Sequence, residues 1–98
     1  MKLVRDKIPE LIKRDNKIPI FYIADDQEYY SALKNKLSEE LEEFLESENV
    51  EELADLIEVI YAIVDFRKIE RIELEDIRIK KVVERGAFKN KFILKEVK

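Results

Sequence analysis

Two long segments of helical apolar periodicity, separated by only a few residues, constrain the fold more than any other feature of this chain. The first is predicted to run from about Glu28 to Ser47, and the second from the capping residue Asn49 to about Arg67. The apolar stripe of the first segment consists of Tyr30, Leu33, Leu37, Leu41, Phe44 and Leu45. A connection this short makes two helices antiparallel neighbours. The sequence therefore predicts a helical hairpin.

The flanking residues predict two further helices. A short one follows Pro9, a favourable first-turn residue, and a longer one spans Leu74 to Arg85 and ends at Gly86, the only glycine. Glu52, three residues after Asn49, fits a capping box at the start of the second hairpin helix.

Two short segments favour extended backbone. Residues 17–26 contain β-branched and aromatic side chains after Pro19, and residues 91–97 alternate like a strand. Asp25 or Asp26 ends the first segment and caps the following helix. The predicted class is mainly α, with about four helices and two short extended segments in a single domain, residues 1–98.

Composition limits the chemistry. The 98 residues include no cysteine and no histidine, which excludes thiolate or imidazole ligands and the commonest general base. No apolar run is long enough to cross a bilayer, and the first residues do not resemble a signal peptide. We expect a cytoplasmic protein without a membrane partner.

The net charge of −4 is unevenly distributed. Residues 37–66 contain eleven acidic residues and no lysine or arginine, whereas the remainder carries a net charge of +7. A nucleic-acid-binding domain would present a basic face, so we do not expect a nucleic-acid polymer as partner.

Helical projection separates these acids into two groups. At roughly 100° per residue, Glu40 lies about 20° from Leu33 at the edge of the apolar stripe, with Glu43 about 60° further round. Glu42 and Glu46 project to the opposite side and are predicted to be solvated.

The second helix carries acids at matching heights. On the second helix, Glu52 and Asp55 lie at the N-terminal end of a row of side chains that continues with apolar residues. This helix is apolar on several sides, so the row faces packed surface. Folding the hairpin near Ser47 and Glu48 places Glu40 opposite Asp55, and Glu43 opposite Glu52. Four converging carboxylates suit a hard divalent cation such as Mg²⁺.

A simpler interpretation is an ordinary solvated acidic face. Glu52 then acts only as a capping residue, and Lys36, four residues before Glu40, forms a surface ion pair.

The acidic spacing resembles that of a known family. Glu39-Glu40-x-x-Glu43 followed by Glu52-x-x-Asp55 is similar to the EExxE…ExxD motif of the MazG-like all-α nucleoside triphosphate pyrophosphohydrolases. Four stretches, "KLVRDKIPELI", "DDQEYYSALKNKLSEELEEF", "EELADLIEVIYAI" and "RGAFKNKFIL", resemble its small phosphoribosyl-ATP pyrophosphohydrolase-like members. The similarity covers nearly the whole chain.

The resemblance implies a helical bundle that forms a homodimer or higher oligomer and binds Mg²⁺, or Mn²⁺ in its place. The implied metal ligands are Glu40, Glu43, Glu52 and Asp55. The implied reaction cleaves a nucleoside triphosphate between the α and β phosphates, giving a monophosphate and pyrophosphate. The sequence does not identify the base or the sugar.

Other residues are candidates for the remaining roles. Glu39 would orient the attacking water. Phosphate oxygens not neutralised by metal need Lys or Arg, and we favour Arg5, Lys7 and Arg85 over Lys89 and Lys91. The alternative function is a catalytically silent helical dimer that acts as a structural or regulatory module.

Overall fold

The computed structural model describes residues 1–98 and contains four helices and no strand. The helices are α1 (Ile8–Arg14), α2 (Asp26–Ser47), α3 (Val50–Phe66) and α4 (Arg71–Arg85). The prediction of a mainly helical chain with four helices is confirmed. None of the helices combines the length and apolar character that a membrane span requires.

Helices α2 and α3 form the predicted antiparallel hairpin. Only Glu48 and Asn49 connect them, and Glu48 adopts the left-handed conformation (φ 57°) while its N–H donates to the Phe44 carbonyl at 2.7 Å. At the open end of the hairpin, the Phe66 ring stacks on Tyr30 with a centroid distance of 5.1 Å and meets Tyr29 edge-on. The connection and these ring contacts fix the axial position of α2 relative to α3.

The predicted helix ends agree with the structure to within three residues. Asp25 is the N-cap of α2, and its side chain accepts a hydrogen bond from the Glu28 N–H at 2.8 Å. Gly86 follows α4 with φ 88°, a conformation that favours glycine. Asn49 is the N-cap of α3, but its side chain makes no capping hydrogen bond.

The two predicted extended segments do not form strands. Residues 18–24 and 91–97 make no backbone hydrogen bonds to each other or to any helix. A strand is stabilised by a neighbouring strand and by packing of one face, and here Ile20, Ile23 and Phe92 are each at least 87 % exposed. The apolar alternation is present in the sequence, but this single chain supplies no partner for it.

The chain exposes far more surface than a compact domain of its mass. Its accessible surface is 9397 Å², compared with about 5,900 Å² for a typical folded monomer of this mass. The radius of gyration is 18.0 Å, compared with about 13 Å for a compact chain of this length. Only Leu33, Val59, Val64 and Glu40 are buried. One chain therefore forms a hairpin with a thin core.

The Asp25 cap gives a direct test of the hairpin. Replacing Asp25 by Ala removes the acceptor for the Glu28 N–H and should lower the free energy of unfolding by about 1 kcal/mol. Replacing Asp25 by Asn retains an acceptor and should change the free energy of unfolding by only about a few tenths of a kcal/mol. Urea denaturation followed by circular dichroism measures both, and equal losses in the two variants would contradict the capping role.

Candidate metal centre

Glu40 is the one buried charged residue of the chain. It lies on α2 seven residues after Leu33, so both side chains face α3 on the same side of the helix. Glu40 is 6 % exposed. Its Oε1 atom lies 3.3 Å from the Lys36 Nζ, whereas its Oε2 atom is buried without a hydrogen-bond partner. Since buried polar atoms are nearly always paired, the orphan oxygen leaves a position for a further hydrogen-bond donor or cation.

Two groups of acids meet at Glu40. The first is Glu39, Glu40 and Glu43 on α2, and the second joins Glu40 to Glu52 and Asp55 on α3. In each group, one carboxylate oxygen from every member lies within 4.8 Å of the others. We call these five residues the acidic cluster. Glu39, Glu52 and Asp55 are half-buried and Glu43 is exposed.

The hairpin geometry explains this convergence. The two-residue connection sets the register of α2 against α3, and acids three residues apart on one helix are separated by about 4.5 Å of rise. Glu40 therefore reaches both Glu52 and Asp55, as the sequence predicted for the pair Glu40 and Asp55. Glu43 joins the cluster through Glu40 and forms no group with Glu52.

Two basic side chains already touch the cluster. The Lys36 Nζ lies 3.5 Å from Glu39 Oε1 as well as 3.3 Å from Glu40, and the Lys36 side chain is only 19 % exposed. From the N-terminal segment, the Arg5 Nη2 donates to Asp55 Oδ1 at 2.6 Å. Five acids thus face two bases, and the ionised cluster retains a negative charge.

The spacing of Lys36 and Glu40 correctly predicted an ion pair, although the pair is more buried than a surface pair. The contact of Arg5 with Asp55 had no sequence signal, because fifty residues separate them.

The environment raises the pKa of Glu40 above its usual value. Burial is the main cause, the nearby Glu43 carboxylate raises the pKa further, and Lys36 opposes both effects. The net direction shows that Lys36 alone does not compensate the burial of this charge. A divalent cation would supply the missing positive charge, and carboxylate oxygens are the ligands that Mg²⁺ and Mn²⁺ take.

The residues thus fit a divalent cation on two grounds. The cluster offers oxygen ligands from two helices, and it contains a buried oxygen without a partner. By contrast, Glu42 and Glu46 are exposed on the far face of α2, as predicted for solvated acids. The solvated interpretation describes those two residues, but it does not describe Glu40.

The remaining predicted site residues lie apart from the cluster contacts. Lys7 is the N-cap of α1 and Arg85 is the last residue of α4, and both are exposed and form no ion pair within 4.0 Å. Their roles toward phosphate stay predictions. Among the basic candidates, Arg5 is the one that the structure brings to the cluster.

Two open grooves on the chain lie away from the acidic cluster. One groove of about 490 Å³ includes Tyr30, Lys34 and Phe66 at the open end of the hairpin. Another of about 520 Å³ lies between α3 and α4 around Arg71. Neither groove is lined by an acid of the cluster.

Comparisons with known proteins give a limited result. No protein-family model matches the chain, and no solved structure matches it. A segment of 42 residues is 48 % identical to an uncharacterized protein of Mycolicibacterium smegmatis. That segment covers 43 % of this chain and 43 % of the relative.

The raised pKa of Glu40 predicts a specific pH dependence in the presence of a chelator. A carboxyl group with a raised pKa in the folded state stabilises the fold when it is protonated, so the contribution is complete below the ordinary pKa of 4.5 and is lost as the pH rises through the raised value. Replacing Glu40 by Gln should therefore increase the free energy of unfolding at pH 7, on the order of 1 kcal/mol.

Chemical denaturation between pH 4 and pH 8 measures this difference. The advantage of Glu40→Gln should shrink as the pH approaches 4.5, where Glu40 itself becomes neutral. The matched control is Glu42→Gln on the exposed face of α2. A Glu40→Gln variant that is less stable than the original chain at pH 7 would contradict the direction of the shift.

Proposed function

We propose that the protein is a divalent-metal-dependent hydrolase that cleaves a nucleoside triphosphate between the α and β phosphates. The observation that carries the proposal is the unpartnered buried oxygen of Glu40 within acids from both hairpin helices. Support also comes from the resemblance of the two acidic motifs, and of the segments around them, to the MazG-like pyrophosphohydrolases. The first line of support is the placement of the side chains, and the second is the identity and spacing of the residues.

The carboxylates of Glu40, Glu43, Glu52 and Asp55 would hold Mg²⁺ or Mn²⁺. When bound, the ion neutralises phosphate oxygens and lowers the pKa of a coordinated water. Glu39, half-buried and next to Glu40, would orient the attacking water and accept its proton. The water oxygen bonds to phosphorus, the bridge between the α and β phosphates breaks, and the products are a nucleoside monophosphate and pyrophosphate.

Basic residues would bind the remaining phosphate oxygens. A triphosphate carries more negative charge than one divalent ion neutralises, so guanidinium or ammonium donors are required. Arg5 is already at the cluster. Lys7, two residues along the same segment, and Arg85 at the end of α4 complete the proposed set.

The proposal includes association with at least one further copy of the chain. Measured against a typical compact monomer, each chain exposes an excess of about 3,500 Å², more than the roughly 1,000–2,500 Å² that each partner of an obligate dimer buries. Leu53, Ile57 and Ile60 of α3 are each between 38 % and 49 % exposed, although this helix carries the most apolar sequence of the chain. A MazG-like bundle closed by a second hairpin would cover these side chains and provide the walls of a nucleotide site.

Association is tested by sedimentation velocity or light scattering at micromolar concentration. We expect a dimer or a tetramer, because the thin core of one chain leaves α3 exposed. Ile57→Lys should weaken association, whereas Glu58→Lys on the same helix is the control for the introduced charge. A monodisperse monomer at these concentrations would contradict the proposal.

The activity is tested with a panel of ordinary, deoxy and modified nucleoside triphosphates. We expect pyrophosphate release from at least one of them in Mg²⁺ and none in excess chelator. Replacing Asp55 by Asn keeps the shape of the side chain but removes one anionic ligand, so turnover should fall by about a hundredfold or more.

The matched control is Glu42→Gln, which removes one carboxylate from the same acidic stretch on the exposed face of α2. It should leave turnover within about twofold, because exposed changes remote from a site have small effects. Equal turnover in the Asp55 and Glu42 variants, with unchanged Mg²⁺ affinity in calorimetry, would contradict the metal-ligand assignment.

One observation favours a second candidate function, a catalytically silent helical dimer. Lys36 and Arg5 already neutralise part of the cluster, as they would in a purely structural ion-pair network. Such a module would bind Mg²⁺ weakly or not at all and would release no pyrophosphate. Metal affinity and turnover therefore separate the two candidates.

A further inference from the structure

Arg5 links two parts of the chain that otherwise have few polar contacts. Its pair with Asp55 is the one ion pair between residues 1–25 and the hairpin. Helix α1, which follows Arg5, makes no close backbone contact with the other helices. Asp55 is also one of the acids that meet at Glu40. The same carboxylate therefore joins the N-terminal segment to the cluster.

A guanidinium and a divalent cation compete for this carboxylate. The Arg5 Nη2 lies 2.6 Å from Asp55 Oδ1, and one Asp55 oxygen lies within 4.8 Å of an oxygen of Glu40 and an oxygen of Glu52. A divalent ion held by that group would be close to the guanidinium, and like charges at such short range repel each other. We therefore expect metal binding to weaken this pair.

The two bases at the cluster differ in how readily they can leave. Lys36 is on α2 itself, contacts both Glu39 and Glu40, and its side chain is 19 % exposed. Arg5 precedes the first helix, contacts a single acid, and its side chain is 59 % exposed. An exposed pair of this kind is weak, so a multidentate metal site can displace it.

We propose that Arg5 is an exchangeable internal cation, which holds Asp55 in the metal-free protein and releases it when a divalent cation binds. The released guanidinium becomes available to a phosphate oxygen of the substrate, so metal loading prepares the phosphate-binding residue. This inference rests on the proposed metal site. It adds an order of events, in which metal binds before nucleotide, and a competition that is measurable without any substrate.

The test is a calorimetric titration of the 98-residue chain with MnCl₂ and MgCl₂. Arg5→Gln removes the competing charge and should tighten metal binding roughly two- to fivefold, the scale of an exposed ion pair. Arg5→Lys keeps a competing positive charge and should remain within about twofold of the original affinity. Circular dichroism verifies that each variant retains its helices.

The matched control is Arg78→Gln. Arg78 forms an exposed ion pair with Glu75 on α4, so its replacement changes the net charge equally without touching the cluster. If the effect arises from the specific pair, Arg78→Gln should change metal affinity much less than Arg5→Gln. Equal tightening in the two variants would reduce the effect to net charge and overturn the proposal.

A second readout follows Arg5 directly. The side-chain Nε–Hε resonance of Arg5, assigned by its loss in Arg5→Gln, should shift during a Mg²⁺ titration with the same midpoint as the calorimetric curve. The Arg78 resonance should not shift with that midpoint. An unchanged Arg5 resonance in protein that binds Mg²⁺ would overturn the exchange while leaving the metal site intact.

The remaining outcomes are also decisive. Arg5→Gln with unchanged or weaker metal affinity would show that Arg5 is a spectator or a support of the site, and would overturn the competition alone. Absence of metal binding in the original protein would overturn the metal site and this inference together. Failure of the inference is thereby distinguished from failure of the proposed function.

Discussion

The burial of the Glu40 carboxylate between α2 and α3 is the constraint on which the rest of the site depends. A charged group enters a packed helix interface only if opposite charge or hydrogen bonds compensate for lost hydration. Lys36 provides part of this compensation from the preceding turn, yet one oxygen remains without a partner and the pKa stays raised. A chain selected only for stability would place an apolar residue here, since Leu33 occupies the equivalent position two turns earlier.

The hairpin and the position of Glu40 were predictable because both follow from local geometry. Helical periodicity gives the orientation of a side chain to within tens of degrees, and a two-residue connection leaves little freedom in register. Glu40 was therefore predictable as an interface residue opposite Asp55. The same symmetry predicted Glu43 opposite Glu52, but these two residues share no group in the structure, because side-chain rotamers decide contacts at the exposed edge, where Glu43 lies.

Features that depend on distant parts of the chain were not predictable in the same way. Alternation in residues 91–97 indicates that a strand is chemically suitable, but strand formation requires a neighbour, and the periodicity contains no information about one. The contact of Arg5 with Asp55 likewise depends on the path of an irregular segment over fifty residues. Long-range ion pairs of exposed side chains leave no periodic signal in a sequence.

The distribution of charge gives these separate features a common physical basis. Concentrating eleven acids within residues 37–66 places mutual repulsion inside the hairpin, while the excess of basic residues lies in the segments outside it. The acidic stretch therefore needs positive charge from outside residues 37–66, and Lys36 supplies it from the preceding turn of α2 and Arg5 from the N-terminal segment. Because Arg5 belongs to an exposed segment, the proposed exchange would make its contribution reversible, unlike that of Lys36 on the hairpin itself. Under the proposed function, a cluster in which Glu40 is only partly paired and Asp55 is held by an exposed base would accept an external cation that a fully paired interface would exclude.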